Sequence, residues 1–186
     1  MIGQVERNAF VMDSNSFIEP YRLYYSFDHF PAYWDWLKKM IVSASPSVIV
    51  PKVVYNELAN SGDRLAKWLS SKEIKPYIYS DYENDTHVWD YYGKIASYIH
   101  TSGLYCEPGL SNWDQAGKAD PLLIAMAAAN KWEIVTREVP NNGLSKKQQT
   151  KKEPKIPDVA KVFDVTCVSL FDLEDICGLR IKLPAR

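Results

Sequence analysis

Residues 121–129, Pro-Leu-Leu-Ile-Ala-Met-Ala-Ala-Ala, carry no charge on any side. A helix that is apolar all round cannot rest on a protein surface. The run is also far short of the roughly 20 residues a helix needs to cross a bilayer. The rest of the chain must therefore bury it. Most of the residues after Pro121 are strong helix formers, and Asp120 and Pro121 read as the N-cap and first helical residue. With 186 residues and 46% of them hydrophobic, the chain has the apolar mass to build one sizeable core around this helix. No repeat divides the sequence, so residues 1–186 are expected to form a single domain.

Short apolar runs alternate with stretches of helical spacing around that helix. Residues 9–12 read as a buried strand that stops at the polar turn Asp13-Ser14-Asn15-Ser16. Residues 47–50, 132–136 and 164–168 read as further strands. Helices are predicted over 30–42, 51–59, 63–71, 81–100 and 170–176. Residues 139–157 form a polar loop without apolar periodicity, with Lys146, Lys147, Lys151, Lys152 and Lys155 against Glu153. Strands separated by helices predict an α/β fold, with a central mostly parallel sheet flanked by helices.

Several function classes drop out. Cys106, Cys167 and Cys177 are odd in number and widely spaced, which argues against a disulfide framework or a zinc site. No apolar stretch reads as a membrane span or a signal peptide, so a cytoplasmic location is expected. The first strand is followed by no glycine-rich turn, which removes a dinucleotide-binding fold. An aspartyl phosphotransferase wants a second Asp two residues after the first; Asn15 stands there. With 22 basic and 23 acidic residues, net charge alone would not coat nucleic acid.

Four acids stand where secondary structure changes: Asp13 after the first strand, Glu57 on the helix after the second, Asp120 at the buried helix, and Glu138 two residues past the strand ending at Thr136. In open α/β sheets ligands bind beyond the carboxyl ends of the strands, which is where Asp13 and Glu138 are expected. Clustered carboxylates repel unless a cation sits among them, and all-oxygen ligands favour Mg²⁺ or Mn²⁺. Such a cation suits phosphodiester chemistry. Ser14, Asn15, Ser16 and Thr136 are the polar residues at hand to orient water or the carboxylates.

The ordered blocks VMDSNSFI, VVYNELA, KADPLLIAMA and IVTREVP resemble the four active-site blocks of PIN-domain nucleases, the group that includes VapC-type toxins. The resemblance spans residues 8–140. It implies the PIN-like three-layer fold and a metal-dependent endoribonuclease in which Asp13, Glu57, Asp120 and Glu138 are catalytic. Asp13, Asp120 and Glu138 would ligate the metal. Glu138 stands where the family carries Asp. A toxin role implies a cognate antitoxin, and the family commonly forms homodimers. The Lys-rich loop departs from short toxins of this group and looks more like a less characterised PIN-like branch; Asp158, just beyond it, is a candidate extra acid. A PIN-like binding or regulatory module without catalysis is the alternative.

Each acid also has a plain structural reading. Asp13 could cap a short helix, Asp120 could merely start one, and Glu57 and Glu138 could be solvated charges. Lys146, Lys147, Lys151 and Lys152 could guide an RNA backbone or simply solvate a mobile loop, with Arg64, Lys67 and Lys72 nearby. The chain is 13% aromatic, and the aromatic cluster over 21–36 is read as packing or partner contact ahead of stacking on RNA.

Overall fold

The computed structural model describes residues 9–115 and 117–181. Its centre is a parallel sheet of β1 (Phe10–Met12), β2 (Val48–Ile49), β3 (Glu133–Val135) and β4 (Cys167–Val168), in the order β2-β1-β3-β4. Val11, Met12, Val48, Ile134 and Val135 are buried, as expected of strands covered by helices on both faces. The architecture is a three-layer α/β fold. The strands are shorter than their apolar runs: Asp164 adopts a left-handed backbone, φ 56°, which delays β4 to Cys167.

The helices are α1 (Asn15–Glu19), α2 (Pro31–Ile41), α3 (Lys52–Ala59), α4 (Arg64–Leu69), α5 (Thr86–Thr101), α6 (Gly109–Trp113), α7 (Ala119–Asn130), α8 (Ile156–Ala160) and α9 (Leu170–Ile176). The apolar run lies in α7, where Leu123, Ile124, Ala125, Met126 and Ala127 are wholly buried. Each large apolar side chain there stabilises the fold by about 1.5–3 kcal/mol. Its alanines leave room for α5, which packs on it through the side bearing Val88, Ile95 and Ile99. At its end Lys131 turns left-handed, and the Trp132 N–H reaches back to the Ala127 carbonyl at 3.0 Å, sending the chain into β3.

Four local expectations are corrected. The predicted helix 81–100 is cut: a 3₁₀ turn, Asp81–Asn84, precedes α5, because Asp85 caps it by accepting the His87 N–H at 2.9 Å. Asp120 is not the N-cap of α7. The helix starts at Ala119, after Lys118 in extended backbone, so Asp120 lies in the first turn. Pro121 is tolerated there because the first N–H groups of a helix lack internal partners. The polar turn after β1 folds into α1 and continues as a π-helical turn, Pro20–Tyr24, closed by the Tyr25 N–H on the Pro20 carbonyl at 2.6 Å. The loop 139–157 is strapped down: Cys106 and Thr150 donate to Thr150 and Leu104 carbonyls at 2.9 Å each. Gly109 lies so close to this strap that a Cβ there would sit 2.5 Å from the Lys152 carbonyl oxygen. The loop also ends early, in α8.

Most of the aromatic cluster is internal packing. Tyr25 stacks on Tyr33 and Phe27 on Trp34, each with centroids 4.1 Å apart, and Tyr33 and Trp34 are buried. Arg64 is bound to Asp28 at 2.7 Å, so it anchors this cluster. Among the described residues, no helix is long and apolar enough to cross a membrane.

Candidate functional site

The sheet order fixes where a site can form. The chain leaves β1 in one direction to make β2, and later returns to the other side of β1 to make β3. Connections diverge from the carboxyl ends of β1 and β3, and a crevice opens between them. Asp13 follows β1 and Thr136 follows β3, so these two residues face each other across the crevice mouth.

They are bonded directly. The Thr136 hydroxyl donates to Asp13 Oδ2 at 2.5 Å, and the Ser16 N–H donates to Asp13 Oδ1 at 2.7 Å. Ser16 Oγ donates to the Val135 carbonyl at 2.9 Å, and the Asp13 N–H reaches the same carbonyl at 3.1 Å. Asp13 is 4% exposed. Burial pushes its carboxyl pKa up more strongly than the Thr136 and Ser16 hydrogen bonds pull it down; the charge of Glu138 adds to the rise. The capping reading of Asp13 describes its hydrogen bond to the first turn of α1, and the same carboxylate lies at the crevice mouth.

Asp120 comes in from the first turn of α7, its side chain 27% exposed. Its pKa is pushed up to about 6, first by burial and then by the charges of Glu138, Asp13 and Glu57, against the pull of Lys118. The four acids foreseen in the sequence therefore share one electrostatic neighbourhood. Glu57 stands exposed on α3 and accepts a hydrogen bond from Ser14 Oγ. Asn15 is exposed on α1 and does not enter this network.

Glu138, like Asp13, is held at both carboxylate oxygens. Lys155 Nζ donates to its Oε1 at 2.6 Å, and the Ile156 N–H at the start of α8 donates to Oε2 at 2.7 Å. Its own N–H reaches Thr136 Oγ1 at 3.1 Å. Asp158 is one step further out. It accepts the Asn141 N–H at 3.0 and 3.1 Å, and its pKa is raised by burial, with Glu138 contributing. Asp158 thus fastens the loop that begins after Glu138 and feels the cluster without joining it.

Two lysines were not foreseen as site residues. Lys118 lies 3.7 Å from Asp120, pairs with Glu153 and sits over the Trp113 ring at 5.7 Å. Lys155 was read as one of five loop lysines and instead binds Glu138. Lys146, Lys147, Lys151 and Lys152 are exposed on the strap. Lys118 was within sight, two positions before Asp120; Lys155 had no signal beyond its place before Ile156-Pro157-Asp158.

A cation fits the donor set. The residues offer only oxygens, one carboxylate is buried, and no hydrogen bond to Asp120 was found among the described residues. Among the described residues, no three His, Cys, Asp or Glu side chains already surround a common point as a bound metal requires. The side chains are neighbours whose charges Lys118 and Lys155 offset only in part, Lys118 being shared with Glu153. Behind them Cys167 has its thiol pKa pushed up to about 12 by burial and by Asp13 and Glu138, so it stays protonated and unreactive.

No curated protein and no solved structure matches the chain. A family does: its match runs over residues 10–179, from the first residue of β1 to just past α9, and so takes in every acid of the crevice. The chain belongs to the family described as a domain of unknown function, DUF4411.

Proposed function

We propose that the protein is a metal-dependent endoribonuclease whose site is the crevice between β1 and β3. The observation that carries this reading is the meeting of Asp13, Asp120, Glu138 and Glu57 at the topological switch point of a parallel sheet. The resemblance of the same four blocks to PIN-domain nucleases supports it. Asp13, Asp120 and Glu138 would hold Mg²⁺ or Mn²⁺. When bound, the cation supplies charge neutralisation for the phosphate and a lowered pKa for a nearby water.

The chain's own residues do the rest. Thr136 and Ser16 fix the Asp13 carboxylate in one orientation, which removes a reorganisation cost at the reacting phosphate. Glu57, at the open side and in contact with Ser14, would orient the attacking water and take its proton. Water adds to phosphorus, the bond to the 3′ oxygen breaks, and a proton returns to that oxygen. The products are a 5′-phosphate and a 3′-hydroxyl. With a cation held there, Lys118 and Lys155 would give up Asp120 and Glu138, and their ammonium groups would be available to the substrate phosphate.

On this reading the substrate is RNA and the compartment the cytoplasm. A toxin role would add a cognate antitoxin covering the crevice, and a homodimer is the expected assembly. The deciding experiment titrates Mg²⁺ and Mn²⁺ with mixed RNA substrates, comparing wild type with Asp13→Ala and Asp120→Ala. Cleavage that needs the metal and is lost in both variants is the expected result. Cleavage that survives Asp13→Ala would refute the assignment. No cleavage and no metal binding by calorimetry would favour a binding module that has lost catalysis.

A further inference from the structure

The acidic crevice continues into a small cavity of about 150 Å³ with a different chemistry. Ser16 and Thr136 line it and are also the residues that hold Asp13. Glu19 and Arg137, paired with each other, form one wall. Tyr24 and Phe171 form another, with ring centroids 6.0 Å apart and planes tilted by 58°. Tyr33 and Trp34 of the aromatic cluster are packed away from water, whereas Tyr24 is 45% and Phe171 56% exposed. Two aromatic faces are thus left open where the crevice ends.

The walls are fixed. Tyr24 is the last residue of the π-helical turn, and the next residue, Tyr25, donates its O–H to Glu174 of α9 at 3.1 Å. Phe171 lies in the first turn of α9, which a Ser169–Asp172 capping box holds rigid. The Arg137 guanidinium is exposed, pairs with Glu19 and lies near Tyr24, so it closes the cavity on the side of the aromatic wall.

We propose that this cavity receives one unpaired base of an RNA strand, adjacent to the phosphate presented to Asp13 and Asp120; the inference rests on the nuclease reading above. The volume admits a single ring system. Aromatic faces stack on any base, and the Glu19–Arg137 pair offers both an acceptor and donors to a base edge. Arg137 also complements the phosphate that must follow the base. A base inside a duplex has both faces covered and cannot enter, so the substrate class is single-stranded RNA or an RNA loop.

The test uses a short single-stranded RNA carrying one 2-aminopurine, whose fluorescence falls when the base stacks. Binding is read with full-length Asp13→Asn protein, and cleavage with wild type. Tyr24→Ala and Phe171→Ala should abolish the quench and raise KM roughly tenfold to a hundredfold while kcat stays within about twofold. Tyr24→Phe and Phe171→Tyr should restore both. Unchanged quench and KM in the alanine variants would overturn the proposal, as would equal quenching with a duplex. Those results beside Asp13-dependent cleavage would leave the nuclease reading standing. Loss of the quench in the alanine variants without any wild-type cleavage would keep the base site and sink the nuclease. A cavity built for a protein side chain would show neither quench nor a KM change.

Discussion

Replacing Asp120 by Asn should stabilise the metal-free protein, and by an amount that depends on pH. The Asp120 carboxyl is moved from its ordinary pKa of 3.8 to about 6 by burial and three neighbouring acids. The folded protein therefore holds this proton more tightly than the unfolded chain does. Well below pH 3.8 the group costs nothing; between pH 3.8 and about 6 the unfolded chain ionises while the folded group still holds its proton, so the penalty grows across that window and is complete above it. Above that the penalty is about 3 kcal/mol, and Asn, which resembles the protonated acid, avoids it. For a chain of this size the melting temperature at pH 7.5 should rise by roughly 6–12 °C in Asp120→Asn. At pH 4 the difference should shrink to about 0.5 kcal/mol, or roughly 1–2 °C. Thermal melts across this range, in chelator, make the measurement. Adding Mg²⁺ or Mn²⁺ should then raise wild type and leave the variant where it was. A variant that melts lower at pH 7.5, or a difference that does not change with pH, would refute the electrostatic account of the cluster.

Thr136→Val removes the hydroxyl that serves both Asp13 and the Glu138 N–H. It should cost about 1–3 kcal/mol, seen as a lower urea midpoint at unchanged slope. Lys155→Met frees one oxygen of Glu138 while the Ile156 N–H still holds the other. Lys155 is partly exposed, so stability should change by less than about 1 kcal/mol, but calorimetry should find tighter binding of Mn²⁺. Weaker binding would mean that Glu138 does not face the cation site. Gly109→Ala should force the strap outward at Lys152, costing about 1–3 kcal/mol and speeding tryptic cleavage at Lys151 and Lys152.

The sheet and its flanking helices were legible because burial leaves a plain mark: Val-Ile runs for covered strands, a charge-free α7 for the centre. The acids were legible as positions, since strand ends and helix starts can be placed from pattern. Their partners were not. Lys155 meets Glu138 across 17 positions of polar loop, and nothing in the composition of that loop separates Lys155 from the four lysines left in solvent. The N-cap reading of Asp120 failed for a related reason. Asp-Pro satisfies a cap by local chemistry, but in the fold the carboxylate is drawn among Asp13, Glu138 and Lys118. Tyr24 and Phe171 lie too far apart in the chain to be paired by any periodicity.

Lys118 and Lys155 have a consequence for the order of events in the life of the chain. Both are covalently tethered, so their local concentration around the carboxylates far exceeds that of a free ion. The crevice can therefore close on itself as the polypeptide folds, before any soluble cation arrives. A monovalent ion brings no more charge than the amine it would replace. On the nuclease reading only a carrier of two charges would gain by displacing a lysine, and the internal amines would act as a threshold that separates divalent from monovalent visitors.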